Sequence, residues 1–68
     1  MSTLADLRKA KVLSLQELAD VAGLSKTTVR LIEQGRRVPH PATRRALGTA
    51  LGVDPASVAW PEADAAPR

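Results

Sequence analysis

Leu15-Gln-Glu-Leu-Ala-Asp-Val-Ala-Gly-Leu-Ser-Lys-Thr-Thr-Val-Arg-Leu-Ile-Glu-Gln34 carries two short amphipathic helices and the turn between them. In the first, Leu15, Leu18, Ala19 and Ala22 recur at three- and four-residue steps, the spacing of one helical face. Ser14 with Glu17 three residues later makes a capping box that starts this helix. Gly23 ends it, since the residue after a helix terminus often needs a positive φ that glycine adopts without a Cβ clash. Ser25 caps the second helix, expected over Lys26 to Gln34, with Val29 and Ile32 turned inward and Gly35 as its stop. A turn this short forces the two helices to cross steeply. The crossing needs a small residue, and Ala19 supplies it. Lys26, Thr27, Arg30, Leu31 and Gln34 are left pointing outward, with burial against a neighbour the equal alternative for Leu31.

Working outward, Thr3 and Asp6 open an earlier helix whose buried stripe is expected to be Leu4, Leu7 and Ala10. After the loop Arg36-Arg37-Val38-Pro39, Pro41 suits a first helical position, where its missing N–H has no partner to lose. That fourth helix runs to Leu51, burying Leu47, Ala50 and Leu51, with Gly52 as its end. Asp54-Pro55 reads as a cap followed by a first-turn proline, which predicts a short fifth helix from Asp54 to about Ala59. The reading is an all-α, compact five-helix domain over residues 1–60. The tail at 61–68 has no large apolar group and is expected to be disordered. His40 reads as a loop or capping residue. Trp60 reads either as a plug for a small core or as an interface contact.

Composition narrows the function. The chain has 68 residues, no cysteine and a single histidine. Thiolate metal sites and disulfides are therefore excluded, and no metal or cofactor is expected. Ser14 and Ser25 are used as caps, and no acid–base pair or glycine-rich phosphate loop accompanies them, so the chain does not read as an enzyme. No apolar run approaches the roughly 20 residues that span a bilayer, and the N-terminus lacks a signal-peptide pattern; a cytoplasmic location without membrane contact is expected. Net charge is +3, but its distribution matters more. Between Lys26 and Arg45, Lys26, Arg30, Arg36, Arg37, Arg44 and Arg45 face only Glu33, a local excess of +5. Such a block favours a polyanion, because each neutralised phosphate releases counterions.

The helix pair, together with Ile32-Glu33-Gln34-Gly35, Pro39 and Ala50-Leu51-Gly52-Val53, resembles the lambda-repressor-like (Cro/CI-type, XRE-like) helix-turn-helix family over residues 4–53. The resemblance implies five helices that bind double-stranded operator DNA, usually as a homodimer. It implies base contacts from Lys26, Thr27 and Arg30 on the recognition helix, with Thr28 a further candidate contact there, and phosphate contacts from Gln34, Arg36 and Arg37. Two positions depart from the family pattern. Leu15 stands where a phosphate-binding glutamine is usual, and Arg44 where an apolar residue is usual. A DNA-binding transcriptional regulator, acting as a repressor, is the first expectation. The second is an antitoxin-type module that holds a small protein partner through the same fold, with Trp60 and the tail as its contacts.

Overall fold

The computed structural model describes residues 2–61. The expected tail therefore lies, apart from Pro61, outside the described residues. Four α-helices form the body: α1 (Leu4–Ala10), α2 (Leu15–Ala22), α3 (Lys26–Glu33) and α4 (Pro41–Leu51). Two very short strands, β1 (Ser2–Thr3) and β2 (Val58–Ala59), lie parallel, with Ser2 opposite Val58 and Thr3 opposite Ala59. The chain is all-α in class, with four α-helices where five were expected.

Local chemistry sets the helix starts as expected. The Thr3–Asp6 and Ser14–Glu17 capping boxes are both complete, and the Ser25 hydroxyl accepts from the Thr28 amide. Gly23 takes φ +73° in the turn before α3, and the next amide, that of Leu24, returns to the Ala19 carbonyl at 2.8 Å. That return closes α2 and aims the chain straight into α3.

The core is formed by Leu4, Leu18, Ala19, Val29, Ile32, Leu47, Leu51 and Val58. Ala19 is fully buried, as a close crossing of α2 and α3 requires. Leu7, Leu13, Leu24 and Trp60 pack around this centre. Gly48 is buried too; a Cβ there would stand 2.7 Å from Pro55 Cγ and 3.0 Å from the Val53 carbonyl oxygen. α4 thus has a bare backbone surface against which the C-terminal segment folds back.

The structure corrects four expectations. Ala10 is exposed. Each three-residue step on a helix drifts about 60° around the axis, so two steps carry Ala10 about 120° away from Leu4. Arg8, at the four-residue step, takes the inner face instead. The expected fifth helix is a single 3-10 turn, Pro55–Ser57, after which the chain extends into β2. Asp54 does cap that turn, accepting from the Ala56 amide, but Val58 is drawn into the core and into pairing with the N-terminus. The third correction is small: α3 ends at Glu33, and Gln34 is its C-cap. Finally, Leu31 is half-buried and does not stand out from the helix as the other outward positions do.

Candidate nucleic-acid interface

α3 lies across α2 with Val29 and Ile32 buried, so its opposite face is presented to solvent. Lys26, Thr27, Arg30 and Gln34 are exposed on this helix and its cap, and Arg36 and Arg37 are exposed in the following loop. The side chains of Lys26, Thr27, Arg30, Gln34 and Arg36 have no hydrogen-bond or ionic partner among the described residues. Of these, Lys26, Thr27 and Arg30 are carried by α3 itself, Gln34 by its C-cap and Arg36 by the loop. Of the expected site residues, then, the structure brings together Lys26, Thr27 and Arg30 on one helix face, with Gln34, Arg36 and Arg37 beyond its C-terminal end.

Thr28 is different. It is half-buried on the flank of α3, and its hydroxyl oxygen accepts from Ser25 Oγ at 2.8 Å and from the Arg37 guanidinium at 3.1 Å. Its polar atom is directed at the cap and the loop.

The far end of α3 is fastened by a pair that sequence reading missed. Arg8 Nε and Nη2 donate to the two carboxylate oxygens of Glu33 at 2.6 and 3.0 Å, and Nη1 donates to the Leu13 carbonyl at 2.8 Å. Both side chains are nearly buried, at 13% and 10% exposure. The hydrogen bond to Glu33 raises Arg8 above the ordinary arginine range, with the Coulomb attraction adding to it and desolvation opposing it. One guanidinium thereby joins α1, the α1–α2 loop and α3. The signal was present in the sequence, since Arg8 lies four residues from Leu4 and shares its face. The bridge also changes the electrostatic picture. Glu33, the one anion between Lys26 and Arg45, is turned inward and neutralised, so the charge exposed by that stretch is all positive.

Of the two departures from the family pattern, Leu15 is half-buried against the core, and the neighbouring Gln16 amide donates to Asp20. Arg44 is half-buried and donates from Nε to the Pro39 carbonyl at 3.2 Å. It ties α4 to the loop before it, at a place where an apolar side chain would pack. His40 is the N-cap of α4 but makes no side-chain capping bond. Trp60 is half-buried, with its indole N–H on the Pro55 carbonyl at 2.8 Å, so it closes the C-terminal segment over the core. No helix among the described residues is long and apolar enough to cross a membrane.

Comparison with known families matches residues 2–60 to the helix-turn-helix domain. The chain belongs to the helix-turn-helix family. Its α2 and α3 are the pair for which the family is named, and the XRE-like resemblance seen in the sequence agrees with the match. Among curated proteins, the uncharacterized HTH-type transcriptional regulator RghRB of Bacillus subtilis (strain 168) is 41% identical over 51 residues, covering 74% of this chain and 37% of RghRB. This helix-turn-helix chain therefore corresponds to little more than a third of that regulator.

Proposed function

We propose that the chain is a sequence-specific DNA-binding regulator of transcription that inserts α3 into the major groove and represses by occupying a promoter. The observation that carries this reading is the face of α3. Lys26, Thr27 and Arg30 present donors that have no partner among the described residues, from a helix fixed by Ala19 on one side and the Arg8–Glu33 bridge on the other. Their donors suit the acceptors of base edges. Gln34, Arg36 and Arg37, beyond the helix end, suit the phosphates that border the groove and set its register. The family match and the name of the relative support the same reading. We propose accordingly that it works in the cytoplasm with duplex DNA as its partner.

The test is selection of bound sequences from random duplex DNA, followed by affinity measurements on a selected and a scrambled duplex across a salt series. Arg30→Ala is expected to weaken the selected duplex by about 1–3 kcal/mol and leave the scrambled one nearly unchanged. Arg36→Ala is expected to weaken both alike and lower the salt slope by roughly one unit. Equal losses on both duplexes for Arg30→Ala would make Arg30 a phosphate contact and leave discrimination to Lys26 and Thr27. Failure to enrich any sequence would overturn the reading.

On DNA we propose a homodimer, with half-sites about 34–36 Å apart, one helical turn. A groove of about 530 Å³ between α4 and the C-terminal segment, walled by Pro41, Arg45, Pro55 and Trp60, favours a protein contact at this end of the molecule. Sedimentation of the complex decides: two chains per duplex support the homodimer and one chain sinks it. A small foreign partner that co-purifies and blocks DNA binding would instead support the antitoxin-type reading.

A further inference from the structure

The two loop arginines look interchangeable in the sequence, but the structure treats them differently. The Arg36 side chain has no partner among the described residues; only its backbone amide is used, returning to the Leu31 carbonyl at 2.9 Å. Arg37 is exposed, yet its guanidinium is tethered to the Thr28 hydroxyl at 3.1 Å. Thr28 Oγ1 is held in turn by Ser25 Oγ at 2.8 Å, and Ser25 Oγ takes the Thr28 amide at 3.1 Å. Arg37 is thereby tied to the first turn of α3 through two hydroxyls. A cleft of about 230 Å³ opens beside it, walled by Thr28, Arg37, Pro39, His40 and Thr43.

A guanidinium has five N–H donors in a fixed plane. Arg37 uses one on Thr28, and the others have no partner among the described residues. Holding one N–H restricts the orientations open to the plane. It also removes rotamer freedom that a bidentate contact would otherwise have to quench. Because Thr28 sits on the flank of α3 and not on the outward face with Lys26, Thr27 and Arg30, the oriented plane is directed beside the helix. A guanidinium held beside a helix that enters the groove suits a phosphate at the groove edge.

We infer that Thr28 is a positioning residue: it pre-orients Arg37 for a bidentate contact to one DNA phosphate, which sets the register of α3, while Arg36 supplies untethered charge. This inference rests on the DNA-binding reading above and replaces a direct base contact for Thr28.

The experiment uses the full chain, the selected duplex and the scrambled duplex of equal length. Thr28→Val removes the hydroxyl while leaving the Ser25 cap on the backbone amide, and Thr28→Ser restores the hydroxyl. Thr28→Val is expected to weaken binding to both duplexes by about three- to tenfold, the loss of one oriented hydrogen bond, and Thr28→Ser is expected to bind like the parent. In an Arg37→Ala background, Thr28→Val is expected to have no further effect, because residues acting through one contact are not additive. A purely structural role for Thr28 would persist without Arg37, so equal losses in the two backgrounds overturn the inference. A loss confined to the selected duplex overturns it too, since that would make Thr28 a base reader. If the parent binds with the usual salt dependence and Thr28→Val binds equally well, this inference falls alone; if the parent binds no duplex, the DNA reading itself falls.

Discussion

The two ends of α3 are secured by opposite means. At its C-terminal end, the nearly buried Glu33 takes two hydrogen bonds from Arg8, whose third goes to the Leu13 carbonyl, and Ile32 beside it is in the core. At its N-terminal end, Lys26 and Thr27 stand in solvent, and the side-chain bonds that hold the first turn are those among Ser25, Thr28 and Arg37, with Val29 anchoring it from the core side. The difference matches what a reading helix needs. On the DNA-binding reading proposed above, the end that meets the bases has to keep its donors free, so its rigidity must be supplied from the other end and from behind. Buried charge is suited to that task, because a charged hydrogen bond with few competing waters is costly to break.

Breaking the fastened end should have the largest effect. Arg8→Met leaves the nearly buried Glu33 carboxylate without its partner, and a loss of about 2–3 kcal/mol is expected. Urea denaturation measures it. Replacing both partners, Arg8→Met with Glu33→Leu, should recover much of that loss, since the penalty arises from the orphaned charge. A double variant as unstable as the single would show that the clamp's geometry, and not its charge, holds α3.

The turn that delivers the chain to the open end comes next. Gly23→Val forces a β-branched residue to φ +73°, at an expected cost of about 1–3 kcal/mol. There is empty space around a Cβ at Gly23, so the cost would be conformational and not steric. Gly23→Asn should therefore lose much less, because asparagine tolerates this region. Equal melting temperatures for the parent and the valine variant would contradict the turn.

At the open end itself, Ser25→Ala removes the cap of α3 and is expected to cost about 1 kcal/mol. The distinguishing readout is hydrogen exchange. The Thr28 amide, which donates to Ser25 Oγ at 3.1 Å, should lose protection, while amides near Ile32 and Glu33 should not. Uniform loss along α3 would mean that its two ends are not separately secured.

The same contrast explains what was legible in the sequence. Ser14, Gly23 and Ser25 act on atoms within four residues of themselves, so their chemistry can be read from order alone. Arg8 and Glu33 are 25 positions apart, and their partnership depends on α1 lying across the end of α3. Only the position of Arg8 on the Leu4 face hinted at it. Asp54-Pro55 correctly signalled a capped turn, but the pairing of Val58 with Ser2 overrode any helical continuation. Gly48 gave no sign of its role, which exists only because Pro55 returns to within contact of α4. In the site, exposure of Lys26, Thr27 and Arg30 followed from helix periodicity. The diversion of Thr28 toward Arg37 did not, because it depends on where the loop beyond α3 comes to rest.

The smallest expected effect concerns how the fastened end is built. The Leu13 carbonyl reaches Arg8 because the preceding residue, Val12, turns the chain with φ +55°. Val12 is 87% exposed, so its side chain returns little packing energy for this left-handed conformation, which disfavours a β-branched residue by about 1–2 kcal/mol. Val12→Gly removes that strain but adds about 0.5–1 kcal/mol of backbone entropy lost on folding. The net expectation is a gain of about 0.5 kcal/mol, visible as a small rise in the denaturation midpoint with unchanged slope. The outcome bears on the clamp as well as on the loop. A gain means that Leu13 is held at Arg8 without help from Val12, so the strain is incidental to the grip. A loss would mean that the stiffness of Val12 keeps the Leu13 carbonyl in place, and that the rigidity of α3 begins in the loop between α1 and α2.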